Sequence, residues 1–169
     1  MILSLDPSLT RTGWTVLGFE GGVLAAGVIR PDRRARSVDD RIESIVGQLG
    51  HLLMETSPEE IVIEVPSGHA HRGRHRGGGA GLAIYGRAVQ AVVQECRAYC
   101  LAHQRILRTA TETEWIRGLG GKLTKDARKA IVATMVPDYR SAKDPGGDIA
   151  DAIRIGQWWA RQRIELKLN

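Results

Sequence analysis

The stretch MILSLDPSLTRTGWTVLGFEGGVLAAGVI, residues 1–29, decides the fold. Residues 1–6, about 13–20 and about 22–29 are short runs rich in Leu, Val, Ile and Trp, and the Gly21-Gly22 pair after Glu20 marks a hairpin turn. Three successive strands joined in this way predict an antiparallel meander. The first strand ends on an acid: Asp6 closes the apolar run Met1-Ile-Leu-Ser-Leu, where an unpaired carboxylate is costly to bury.

The same conflict recurs further along. Glu64 follows Ile61-Val-Ile, and Asp148 and Asp151 flank Ile149-Ala150. If the strands ending in Asp6 and Glu64 are neighbours, and the helix carrying the last two acids packs across their ends, all four carboxylates converge. Asp148 and Asp151 are three apart and share a face at a helix N-terminus, where the helix dipole favours negative charge. A cluster of oxygen donors without thiols suits Mg²⁺ or Mn²⁺ better than zinc. Two of the acids have an ordinary use: Asp148 as a helix N-cap, and Asp6 as the start of a turn before Pro7. Glu64, at the end of a buried strand, has no capping task.

Between these points helices and strands alternate. Val38, Ile42, Ile45, Val46, Leu49, Leu52 and Leu53 recur at helical spacing, with Ser37 and Asp40 as a capping pair, so a helix is expected over 37–56. Ser57-Pro58 breaks it, and 60–65 is a compact β-branched run. A long helix over 82–103 carries apolar residues on more than one face, which predicts a second surface to cover and hence a homodimer contact. A strand at 105–109, a helix at 111–117, a Gly118-Leu-Gly-Gly121 turn and a helix at 125–135 follow. The last helix is expected over 148–163, after the turn Asp144-Pro-Gly-Gly147.

Composition limits the function classes. A chain of 169 residues that is 43% hydrophobic fits one domain with a real core, spanning 1–169. No apolar run approaches the roughly 18 residues of a membrane span, and the acid at position 6 does not suit a signal peptide, so a cytoplasmic protein is expected. Cys96 and Cys100 lie one helical turn apart and read as core residues. The net charge of +5 is clustered. No acid occurs over 65–94, and there Arg72, Arg74 and Arg76 alternate with His69, His71 and His75 among glycines. Four more arginines lie over 30–36. Clustered Arg on Gly-rich backbone is a phosphate-binding footprint and points to nucleic acid. The three His lack the partners and spacing of a zinc site.

The opening Asp6-Pro-Ser-Leu-Thr-Arg-Thr-Gly-Trp14, the strand ending in Glu64-Val-Pro, the Gly118-Leu-Gly-Gly-Lys-Leu-Thr-Lys125 turn and Asp148-Ile-Ala-Asp-Ala152 together resemble, in order and spacing, the RuvC family of Holliday junction resolvases. The resemblance covers nearly the whole chain. It implies an α/β, RNase H-like fold: a five-stranded mixed sheet, its first three strands antiparallel, with helices on both faces. It also implies a homodimer, here through the 82–103 helix, acting on four-way junctions or other branched DNA. Asp6, Glu64, Asp148 and Asp151 match the catalytic acids that bind magnesium or manganese, two ions per site, and Lys125 matches a basic residue near the scissile phosphate. The expected reaction is hydrolysis of DNA phosphodiesters by paired symmetric nicks, leaving 5′-phosphate ends. Two hard cations close together supply an activated water and stabilise the leaving oxygen. Asp6 would bridge them, with Glu64 and Asp151 as individual ligands and Asp148 the more adjustable member. The candidate DNA contacts are Arg11, Arg72, Arg74, His75, Arg76, Lys122 and Lys125. A branch-migration partner leaves no readable signal.

The chain departs from the family pattern in two places. Ser8 stands where family members often have Gly. In the loop after Glu64, related resolvases carry an aromatic residue that can wedge against bases, whereas this chain has Arg, His and Gly, and its nearest aromatic is Tyr85. Phosphate contacts then replace stacking, which predicts relaxed sequence preference. The competing readings are a junction-binding protein without nuclease activity, which need not keep all four acids, and an RNase H acting on RNA/DNA hybrids. An ATP-binding relative of the actin and sugar-kinase group would need a second domain, for which the chain is too short.

Overall fold

The computed structural model describes residues 1–67 and 78–168. The meander forms as the opening sequence predicts: β1 (Ile2–Asp6) pairs antiparallel with β2 (Thr12–Leu17), and β2 with β3 (Val23–Ile29). β4 (Glu60–Val65) and β5 (Ile106–Thr111) add in parallel on the other side of β1, giving the order β3-β2-β1-β4-β5. β2 stops earlier than expected because the chain already turns at Gly18, whose N–H donates to the Gly22 carbonyl at 2.9 Å. Gly21, at φ +91°, supplies the left-handed step.

The helices are α1 (Val38–Thr56), α2 (Gly78–His103), α3 (Glu112–Gly118), α4 (Lys125–Met135) and α5 (Asp148–Leu168). Ser37 and Asp40 make the expected capping box on α1, and Thr111 and Glu114 make a second on α3. α5 runs five residues past its expected end, and its tail leaves Ile164 and Leu166 exposed. Among the described residues no helix is long and apolar enough to cross a membrane.

Strand alternation sorts the side chains between two layers. Leu3, Leu5, Ile61 and Ile63 face a core shared with Ile45, Leu49 and Leu53 of α1 and Val89, Val92, Val93, Cys96 and Cys100 of α2. Burial pushes the Cys96 thiol well above its ordinary range, in keeping with a packing role. Ile2 and Val62 face the opposite layer, where Trp115, Ile155 and Trp159 pack. By the same period of two, Ser4 and Asp6 of β1 and Glu60 and Glu64 of β4 belong to the α5 side. α5 lies close to the sheet because small residues meet there: the Ser4 hydroxyl donates to the Ala152 carbonyl, and a Cβ on Gly156 would stand 2.8 Å from Ser4 Oγ.

Glu60 anchors the far end of α5. Its carboxylate accepts from Trp159 Nε1 at 2.8 Å and from Arg163 Nε, and the Arg163 guanidinium lies 3.8 Å from the Phe19 ring centroid. Glu60 is 5% exposed, so Glu60→Ala orphans a buried donor and a guanidinium together. Urea denaturation should show a loss of about 3 kcal/mol, well beyond a surface substitution.

Candidate active site

Three elements bring the four predicted acids to one edge of the sheet. β1 and β4 are parallel neighbours with Leu5 opposite Ile63, so Asp6 and Glu64, one position on, leave the same edge on the same face. α5 begins over that edge: Gly13, the antiparallel partner of Asp6, lies so close to Asp148 that a Cβ there would overlap the Asp148 carbonyl. Glu64, Asp151 and Asp148 all raise the Asp6 pKa, so each of the three lies within electrostatic reach of Asp6. Burial is the larger cause and holds the Asp6 carboxyl well above the usual range. Burial also lifts Glu64 to about 7 and Asp151 to about 6. Asp148 is raised less far, against the pull of Arg11.

α5 does not use Asp148 as its cap. The buried Asp144 carboxylate accepts from the Ala150 N–H at 3.1 Å and from the Tyr139 hydroxyl at 2.9 Å, so it serves the first turn of the helix from outside. Gly147, at φ +79°, carries the chain into the helix. The ordinary explanation of Asp148 is thereby filled by another residue. Asp144 was read in sequence only as part of a turn; Tyr139, five residues earlier, was the available hint of a buried partner.

The cations near the acids come from separate elements. Arg11 Nε stands 3.0 Å from Asp148 Oδ2 and Arg11 Nη2 stands 3.6 Å from Asp144 Oδ1, so this predicted DNA contact is already engaged by two acids. Arg128 Nε stands 2.9 Å from Asp151 Oδ1. All three contacts are ion pairs without hydrogen-bond alignment. Lys125 lies beside the start of α5, its stem 3.1–3.5 Å from where a Gly147 Cβ would sit, and its charge lowers the pKa values of Asp148 and Asp151. Lys122 instead lines a cavity of about 320 Å³ with Glu112, Thr113 and Arg117. Of the two lysines, Lys125 is the one beside the acids. Arg72, Arg74, His75 and Arg76 lie outside the described residues.

The donor set is oxygen only and suits a hard divalent cation. Among the described residues no three acids or histidines enclose an ion as they stand, since Asp148 and Asp151 are turned toward Arg11 and Arg128. The fit to a metal therefore rests on donor chemistry and charge. Several partly buried carboxylates raise one another's pKa, and such a set is relieved by added positive charge.

No protein-family model matches the chain. The crossover junction endodeoxyribonuclease RuvC of Maricaulis maris is 28% identical over 171 residues, covering 99% of this chain and 95% of that protein. The chain is thus similar to a RuvC protein over nearly its whole length. The RuvC of Caulobacter vibrioides is 39% identical over 66 residues, 37% of this chain and 38% of its own length. The fold is shared with Thermus thermophilus RuvC solved in complex with a Holliday junction substrate, at a TM-score of 0.67 and 15% identity over 95% of each chain. It is also shared with the yeast mitochondrial Holliday junction resolvase Ydc2, at a TM-score of 0.61 and 17% identity over 98% of this chain and 80% of that one. The RNase H-like architecture implied by the sequence is the one observed.

Proposed function

We propose that this protein is a structure-selective endodeoxyribonuclease that resolves Holliday junctions, and other branched DNA, by paired symmetric nicks. The observation that carries the proposal is the set of carboxylates delivered by β1, β4 and α5 to one sheet edge. Similarity over nearly the full length to proteins named crossover junction endodeoxyribonucleases supports it. Asp6, Glu64, Asp151 and Asp148 would hold Mg²⁺ or Mn²⁺, two ions per site. When bound, these supply a nucleophilic hydroxide and stabilise the leaving 3′-oxygen, so that the product carries a 5′-phosphate. Lys125 offsets charge at the phosphate from the start of α4, and Asp144 and Gly13 fix where α5 begins. Residues 1–169 act as one nuclease domain. The arginine-rich loop grips phosphates and relaxes sequence preference. Dimerisation through α2 has support in Leu101 and in Met54 of the adjoining α1, both large apolar side chains left more than 60% exposed.

The test is cleavage of synthetic four-way junctions of differing core sequence beside linear duplex and an RNA/DNA hybrid, with Mg²⁺ or Mn²⁺. Symmetric nicks in all the junctions are expected. Preference for the hybrid would return the RNase H reading, and cutting confined to one core sequence would overturn the relaxed preference.

The raised pKa values give the reaction a pH dependence of known sign. Metal binding needs the carboxylates ionised, and Glu64 at about 7 and Asp151 at about 6 are partly protonated at pH 6. Apparent Mn²⁺ affinity should rise by up to about tenfold per pH unit between pH 6 and 7 and then level off above pH 8. Titrations at pH 6, 7 and 8 would check this; an affinity independent of pH would contradict it.

A further inference from the structure

β4 carries two glutamates on the same face, and each meets a tryptophan. Glu60 accepts from Trp159 and is also bonded by the nearby arginine, Arg163. At Glu64 the pattern is split. Trp115 Nε1 donates to Glu64 Oε2 at 2.8 Å, while Arg128 has its Cζ 5.8 Å from the centroid of a Trp115 ring and its Nε 2.9 Å from Asp151 Oδ1. One indole thus meets one acid through its N–H and, through the arginine near its ring, the acid opposite. Trp115 is 2% exposed and packed in the core beneath α5, so its ring is held on all sides.

Building on the metal-centre reading above, we propose that Trp115 is a positioning residue that sets the spacing of Glu64 and Asp151. Glu64 has a long side chain whose neighbours repel it, and an unheld carboxylate would splay toward water. The indole N–H fixes one oxygen of Glu64. The ring also backs the guanidinium that meets Asp151, so the two acids move together or not at all. Outer partners of this kind matter because ligands must be held within about half an ångström of their working geometry. Trp115 does not touch the reacting atoms.

Trp115→Phe keeps a buried aromatic ring and removes the donor. Replacing the indole by benzothiophene, through benzothienylalanine, keeps the full outline and removes only the N–H, so it serves should the Phe variant fail to fold. Mn²⁺ binding to the full-length protein is read by electron paramagnetic resonance, and junction binding is read in EDTA. Both variants should bind Mn²⁺ about tenfold more weakly, with junction binding in EDTA unchanged. In a Glu64→Ala background the benzothiophene replacement should cost nothing further, because the N–H it removes acts only through Glu64, while the ring that backs Arg128 is kept. Wild-type Mn²⁺ affinity in the benzothiophene variant would overturn the proposal, as would a loss that simply adds to that of Glu64→Ala. If the unaltered protein bound no Mn²⁺ while still binding junctions, the metal-centre reading itself would fall, and this inference with it.

Discussion

Asp6→Asn should abolish junction cleavage, by roughly 10³-fold or more, while leaving junction binding in EDTA intact and raising the melting temperature of the metal-free protein. The first two outcomes follow from position. Asp6 ends the central strand between Glu64 on β4 and the start of α5, so it is the acid best placed to share ions held by the others. Asparagine keeps its shape and loses the charge on which hard-cation binding depends. A nuclease that still cut after this change would not use the carboxylate cluster, and a variant that lost binding as well would point to a damaged fold.

The gain in stability follows from linkage. The pKa of Asp6 is raised in the folded protein, first by burial and then by the charges of Glu64, Asp151 and Asp148, with Arg128 the opposing influence. A carboxyl whose folded pKa lies above its unfolded value contributes stability below the unfolded pKa, and that contribution is lost as pH rises through the folded pKa. At pH 8 the ionised cluster is therefore a net cost to the fold, and removing one charge reduces it. A rise of roughly 2–4 °C in EDTA is expected for each kcal/mol relieved in a chain of this size. Added Mn²⁺ should stabilise the unaltered protein and do little for Asp6→Asn. A lower melting temperature for the variant in EDTA would refute the electrostatic account.

Much of this was legible from sequence because strands with one acid at the end of an apolar run, and helices with strong caps, carry their signals locally. Ser37 with Asp40 set the start of α1, and α4 spans the expected 125–135, ending two residues before Pro137. Asp6 and Glu64 stood out because each places a charge at the end of an apolar run. What escaped notice depends on residues far apart in the chain. Trp115 reaches Glu64 across 51 positions, and Arg11 meets Asp144 and Asp148 across more than 130, pairings that no local pattern encodes. Arg11 stands among the candidate DNA contacts, and its two acidic partners could not be read from the sequence around it. Here α5 folds down over it. Asp144 was hidden for a related reason: a turn-forming Asp and a buried capping Asp have the same local sequence.

Gly13→Ala is expected to separate stability from geometry more sharply than any change to an acid. Its Cβ would overlap the Asp148 carbonyl, a backbone atom that cannot rotate away, so the N-terminus of α5 must retreat from β2. Overpacking of this kind costs about 1–3 kcal/mol, and a displacement of about 1 Å at a catalytic group costs on the order of 100-fold in rate. Gly156→Ala is the matched comparison. Its Cβ meets the Leu17 and Ser4 side chains two turns further along α5, where the strain falls on the packing of the helix and away from its start. Both variants should unfold at lower urea concentration, but only Gly13→Ala should lose cleavage and Mn²⁺ affinity out of proportion to the stability lost. Equal loss of activity at equal loss of stability would mean that the start of α5 tolerates displacement, and that Asp148 and Asp151 reach their working positions by side-chain motion alone.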